Sequence, residues 1–92
     1  MKVLSFKTVS PLFEMERDGI KPFTTRLWDG KDSRFRLINR WANSGIRNPW
    51  GIRITNPQTG ESFIRELTMW SYISFPDWII LHLGKRLDEE VK

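Results

Sequence analysis

The chain has 92 residues, a net charge of +4 and no cysteine. This length corresponds to one domain, and the absence of cysteine excludes disulfide bonds, thiolate metal sites and a cysteine nucleophile. A secreted domain of this size usually needs disulfides, so we expect a cytoplasmic protein, with one domain at 1–87 and a charged tail at 88–92. The longest apolar run, 78–83, is far shorter than the ~20 residues that cross a bilayer, and no membrane insertion is expected.

The first part of the chain predicts a strand, a helix and a second strand. Residues 2–7 alternate between two faces, which is typical of a strand. Ser10 and Pro11 resemble a helix start, and Gly19 resembles a helix end. An extended segment is expected at 21–28, because its Phe-Thr-Thr sequence consists of strand formers.

Residues 29–48 admit two interpretations. After a turn at Asp29-Gly30, Ser33 could cap a short helix that carries Phe35, Leu37, Ile38 and Trp41. An extended conformation, in which apolar and basic residues alternate from position 34, fits nearly as well. Loops are predicted at 43–45 and 48–49.

The last part of the chain predicts strands at 50–55 and 62–70, joined by a hairpin loop whose Pro and Gly favour turns. Residues 71–75 continue or bend the second strand, and Phe75-Pro76-Asp77 break it. The run 78–83 is either a buried strand or a short helix, since periodicity does not separate these for six residues. Gly84 and the charged residues after it are expected to end the domain.

Together these elements predict an α+β fold. The expected architecture is a small curled or barrel-like mixed β-sheet with one main helix after the first strand.

Basic side chains are concentrated in the middle of the chain, where only three aspartates oppose them. Such a distribution is typical of proteins with a phosphate-bearing partner, although a solvated face of a basic protein fits equally well. The excess of Arg over Lys favours the first interpretation, because guanidinium groups match phosphate geometry. RNA or a nucleotide is therefore the expected partner. The basic residues are Arg17, Lys21, Arg26, Lys31, Arg34, Arg36, Arg40, Arg47 and Arg53.

The segment from Gly19 to Arg26 is the most informative. Lys21, Thr24 and Arg26 follow the predicted helix end within a few residues. They offer a cationic donor, a hydroxyl that is a nucleophile or a hydrogen-bond partner, and a bidentate anion clamp. A turn followed by an ordinary strand also accounts for the same residues.

This segment resembles the signature of the ASCH domain, a relative of the PUA fold, which is G-x-K-x-x-E-x-R after the first helix. Gly19, Lys21 and Arg26 match in spacing, and Thr24 stands where the family usually has glutamate. The opening strand before a helix, at 3–7, also looks like an ASCH start. The resemblance covers residues 1–28 well and the rest only in strand order.

One ASCH branch, the small bacterial acetylcytidine amidohydrolases, has threonine three positions after the lysine. Resemblance to this branch implies that Thr24 is a nucleophile activated by Lys21, together with a carboxylate from the later half. Glu61 and Glu66 are the glutamates there before the tail, and Glu66, in the middle of a strand, is the expected one. Pro22 departs from the motif, and a bend there is required because Lys21 and Thr24 fall on opposite faces of a flat strand.

Trp28 with Arg34 and Arg36 forms a second candidate site. Single-stranded nucleic-acid binders stack bases on aromatic rings and hold phosphates with arginines. The alternative is that Trp28 anchors the core. With Lys7 and Arg26, these three are the expected ligand-binding residues.

Two hypotheses of function follow. The first is an RNA- or modified-nucleoside-binding ASCH-like module, with amide hydrolysis on an acylated base as a further expectation. The second is a small non-enzymatic protein-interaction factor of the phage or mobile-element type, which would use exposed Trp and Arg. No cofactor is implied and no metal site is expected, because His82 is the single histidine and cysteine is absent.

Overall fold

The computed structural model describes residues 2–43, 50–74 and 77–88. The loops predicted at 43–45 and 48–49 lie outside the described residues except for Asn43, which ends a helix, and the break predicted at Phe75-Pro76-Asp77 lies outside them except for Asp77, which begins a strand. The elements in chain order are β1 (Lys2–Lys7), α1 (Leu12–Arg17), β2 (Phe23–Leu27), α2 (Ser33–Asn43), β3 (Trp50–Thr55), β4 (Ser62–Ser74) and β5 (Asp77–Arg86).

The strands form one mixed sheet in the order β1-β3-β4-β5-β2. β1 pairs with β3 in parallel, and the other three pairings are antiparallel. The sheet curls into a half-barrel, so β1 and β2, the first two strands of the chain, lie at its two free edges. This confirms the predicted α+β class with a curled mixed sheet, consistent with a small PUA/ASCH-like fold.

One face of the sheet, here called the inner face, packs against both helices. Phe13 of α1 stacks on Phe63 of β4 with ring centroids 5.3 Å apart, and Phe35 of α2 lies 6.1 Å from Phe6 of β1. Burying this apolar surface is the main stabilising term for so small a domain. The buried apolar residues are Leu4, Phe6, Phe13, Phe35, Ile38, Ile52, Ile54, Phe63, Leu67, Ile79, Leu81 and Leu83.

The short helix α1 is held to the sheet by Arg65 of β4. Its guanidinium donates to the carbonyls of Glu16, Arg17 and Gly84, at 3.1, 2.8 and 2.6 Å. Carbonyls at a helix C-terminus have no intrahelical partner, so a cation placed there satisfies them. Gly19 follows with a φ of +80°, a conformation that favours glycine, which confirms the predicted helix end.

The sequence left two segments open between a helix and an extended conformation, 29–48 and 78–83. Residues 33–43 are helical, and α2, with 11 residues, is longer than α1, with 6. The run 78–83 is a strand, and β5 continues through Gly84 instead of ending there. A Cβ added at Gly84 would lie 2.7 Å from Thr68 Cγ2, so this glycine allows two strands to approach closely. Neither helix of the described chain is both long and apolar enough to span a bilayer.

Candidate functional site

A groove of about 720 Å³ opens between the two free edges of the half-barrel. β1 forms one side, β2 and the start of α2 form the other, and the buried rings of Phe6 and Phe35 lie at its floor. We call it the edge groove. Its lining residues are Ser5, Phe6, Lys7, Arg26, Leu27, Asp29, Asp32, Arg34, Phe35 and Thr55.

Arg34 reaches across the edge groove from α2 to β1. Its Nη1 donates to the carbonyl of Ser5 at 2.6 Å, while Nε and Nη2 donate to the carboxylate of Asp32 at 3.0 and 2.6 Å. These hydrogen bonds hold the pKa of Asp32 below its ordinary value and raise the pKa of Arg34. The guanidinium also lies 4.2 Å from the ring centroid of Phe6. The charge of Arg34 is therefore largely balanced by its neighbour.

Arg26 makes the second bridge, from β2 to β1. Its Nη1 donates to the carbonyl of Lys7 at 2.5 Å and its Nη2 to the hydroxyl of Thr8 at 2.6 Å. The Nε is buried and has no hydrogen-bond partner among the described residues, and burial lowers the pKa of this side chain. Ser5 and Lys7 are two positions apart, so their carbonyls point to the same free edge. Arg26 and Arg34 thus form an arginine seam where a closed barrel would have backbone hydrogen bonds.

A buried ion pair adjoins the arginine seam. Lys21 Nζ lies 2.7 Å from Glu16 Oε2, and the two side chains are 18% and 1% exposed. The other carboxylate oxygen of Glu16 accepts from the hydroxyl of Thr8 at 3.1 Å, and Thr8 accepts from Arg26. A continuous polar chain therefore connects Lys21 to Arg26. Glu16 was not predicted as a site residue, although its spacing of three from Phe13 places it on the buried face of α1.

The three expected catalytic residues are not brought together. Lys21 precedes β2, and Thr24 lies on the inner face of that strand, 1% exposed. Glu66 alternates with the buried Leu67 and so lies on the outer face of β4, where its Cβ would be 3.5 Å from a Cβ added at Gly84. The carboxylate beside Lys21 is Glu16. The catalytic roles stay predictions.

The expected ligand-binding residues divide into two groups. Lys7, Arg26 and Arg34 line the edge groove. Arg36 is exposed on α2 and outside the lining. Trp28 stacks on Phe35 with ring centroids 5.4 Å apart and packs against the core. The geometry of Trp28 therefore agrees with the alternative role of a core anchor.

The face of the sheet opposite the helices, here called the outer face, exposes apolar side chains on β2 and β4. The register places two of them beside His82 and two beside Trp78 of β5. These four are 37–62% exposed, whereas the tryptophans at 28, 50, 70 and 78 are all partly buried. The exposed residues are Phe23, Leu27, Met69 and Ile73.

Within the described residues, no three His, Asp or Glu side chains are grouped so that they could hold a metal ion. His82 Nε2 instead lies 3.1 Å from the hydroxyl of Ser71. Comparisons with protein-family models, with curated proteins and with solved structures give no match for this chain.

Proposed function

We propose that this chain is an RNA- or nucleotide-binding module, similar to the ASCH domain, that holds a phosphate in the edge groove. The observation that carries the proposal is that the guanidinium groups of Arg26 and Arg34, from two different elements, reach into one groove that Lys7 of β1 also lines. Guanidinium and ammonium groups are the usual phosphate ligands of proteins. The groove volume also falls within the roughly 300–1,000 Å³ of small-ligand pockets.

The phosphate is expected at the end of the groove formed by Lys7 and Arg26. Arg34 is already matched by Asp32, whereas no carboxylate of the lining is bound to Lys7 or Arg26, so this end keeps most of the positive charge of the lining. Arg26 donates there to a neutral carbonyl and a hydroxyl. A phosphate oxygen is a stronger acceptor than either, because it carries charge and so attracts the guanidinium as well as accepting its hydrogen bond. The ligand would therefore compete with β1 for Arg26.

The geometry supports binding more directly than amide hydrolysis. Lys21 is held in an ion pair with Glu16, whereas activation of a hydroxyl requires an amine free to take its proton. Thr24 is almost fully buried, so a substrate carbonyl reaches its hydroxyl only after β2 moves. Incubation with acetylcytidine tests this directly: release of acetate that disappears in Thr24→Val would establish the amidohydrolase instead.

The decisive experiment compares two lysines of β1. Lys7→Ala removes a groove cation, whereas Lys2→Ala removes an exposed lysine of the same strand outside the groove lining. We expect Lys7→Ala to weaken binding of single-stranded RNA and to reduce the slope of log affinity against log salt by about 0.7, the value for one phosphate contact. Lys2→Ala is expected to leave both unchanged. Equal behaviour of the two variants would contradict the proposal.

A protein-interaction role is the second candidate, and the outer face favours it. Phe23 and Leu27 of β2 and Met69 and Ile73 of β4 are exposed on either side of β5, beside His82 and Trp78, and exposed apolar patches often mark interfaces. A protein that stays bound to the immobilised chain at high salt, and is released by Leu27→Lys but not by Lys7→Ala, would support this role. Nucleic-acid binding at the groove shows the opposite pattern.

A further inference from the structure

We propose that Asp29 makes the edge groove selective for nucleotides whose base carries an exocyclic amino group, in preference to bases with a carbonyl at the same position. The inference rests on the proposed function and adds the class of base to it. Three observations support it: the two sides of the groove run in opposite directions, the charge of the lining changes from one end to the other, and one carboxylate oxygen of Asp29 accepts no hydrogen bond from the described residues.

The groove has a direction because its two sides run antiparallel. β2 is antiparallel to β5, β5 to β4 and β4 to β3, while β3 is parallel to β1. The hydrogen bonds of the seam show the same order, since Arg26 meets Lys7 and Arg34 meets Ser5. Asp29 follows the end of β2 and so lies toward the Ser5 end. Asp29 is three residues from Arg26, a span of at most about 10 Å.

Charge changes sign along this direction. The first end has Lys7 and Arg26, and no carboxylate of the groove lining is bound to either. In the middle, Arg34 and Asp32 balance each other. At the far end Asp29 is a carboxylate without a cationic partner in the described part of the chain. A ligand that fits this order has an anionic group at one end and hydrogen-bond donors at the other.

One of the two carboxylate oxygens of Asp29 accepts a hydrogen bond within the protein. Its Oδ1 accepts from the backbone N–H of Lys31 at 2.9 Å, which fixes the side chain in its own turn. Oδ2 meets no donor among the described residues and remains an acceptor for a ligand. Between the two ends, Phe6 and Phe35 are each only 3% exposed and lie under the guanidinium of Arg34, so this planar guanidinium is the surface that the groove offers to a base.

An ionised carboxylate accepts hydrogen bonds and cannot donate them. It therefore binds the amino groups of cytosine or adenine, and the pairing of Asp with cytosine N4 is a known form of base recognition. Uracil and hypoxanthine present a carbonyl oxygen at the equivalent position, which a carboxylate repels. Cytidine against uridine monophosphate, and adenosine against inosine monophosphate, are matched pairs of equal size that differ at this group.

Titration calorimetry with these four nucleotides and with ribose 5-phosphate tests the inference. We expect the amino-bearing member of each pair to bind about tenfold more tightly, the value of one hydrogen bond to a charged acceptor. In Asp29→Asn the ratio should fall toward one, because an amide offers a donor as well as an acceptor while still accepting from Lys31. Ribose 5-phosphate should bind this variant at least as well as the unmodified chain. Asp18→Asn, which changes an exposed aspartate outside the groove lining, is the control and should keep the ratio.

The outcomes separate this inference from the proposed function. Binding of ribose 5-phosphate with equal affinities within each pair would overturn the inference and leave the proposed function standing. A tenfold ratio that survives in Asp29→Asn would overturn it as well, and so would loss of ribose 5-phosphate binding in that variant, because Asp29 would then act on the structure of the groove. If none of the five compounds binds, the proposed function fails and the inference with it.

Discussion

Replacing Glu16 by glutamine tests how strongly the buried ion pair holds α1 against the start of β2. Glutamine keeps the shape of Glu16 and can accept from Thr8, but it removes the charge that balances Lys21, whose Nζ lies 2.7 Å away. Removing one partner of a fully buried pair costs about 3–5 kcal/mol. Because Lys21 is 18% exposed and can turn toward water, we expect a loss of about 2 kcal/mol. For a domain of this size, the melting temperature should fall by about 8–16 °C.

Urea unfolding followed by tryptophan fluorescence measures this loss. The matched control is Glu61→Gln, which breaks an ion pair of similar length, 2.9 Å to Arg17, but with a half-exposed carboxylate. Exposed pairs contribute at most about 1 kcal/mol, so the control should lie well below Glu16→Gln. The reasoning is refuted if the two variants lose the same stability. Combining Glu16→Gln with Lys21→Met should recover part of the loss, which identifies the pair as its source.

Three further predictions concern other parts of the fold. Arg65→Met removes the donor to three carbonyls and should lower the free energy of unfolding in urea by about 3 kcal/mol; a loss under about 1 kcal/mol would show that water replaces it. Gly84→Ala should destabilise by about 1–3 kcal/mol in thermal unfolding because its Cβ meets Thr68 Cγ2, and Thr68→Ser in the same chain should restore most of this; no recovery would place the strain elsewhere. The folded-state pKa of Asp32 is depressed by Arg34, so the stability it contributes is present above its ordinary value of 3.8 and is lost as pH falls below it. The difference in unfolding free energy between the unmodified chain and Asp32→Asn should therefore be constant near neutral pH and shrink in acid, and a difference that persists in strong acid would contradict the assignment.

Local patterns predicted much of the sheet. The alternation at 2–7 and the strand predicted at 50–55 match β1 and β3, and each of these strands buries two or more apolar residues at alternate positions. The loop at 56–60 joins β3 to β4 as expected, with Gly60 at a φ of +80°. The identity of α2 depends on tertiary contacts, since its basic residues alternate like those of a strand while Phe35 and Ile38 are buried three apart.

The sequence predicted individual residues of the candidate site but not their arrangement in space. Lys7, Arg26 and Arg34 were expected to bind a ligand because of their charge. Their convergence follows from the curl of the sheet, which brings β1 and β2 to opposite sides of one opening although three strands separate them in the sheet. Glu16 was missed because an acidic residue near a helix start is usually explained by the helix dipole. Its role depends on burial beside Lys21, which no local pattern encodes.

In this fold the opening between β1 and β2 is bridged by the side chains of the arginine seam and not by backbone hydrogen bonds. In a closed barrel the first and last strands are fixed about 4.7–4.9 Å apart by backbone hydrogen bonds, and no substitution changes that spacing. Here the distance between β1 and β2 is spanned by two side chains, while the four strand pairings lie elsewhere in the sheet. We therefore expect substitution of Arg26 or Arg34 to act first on the spacing between β1 and β2, since neither side chain takes part in a strand pairing.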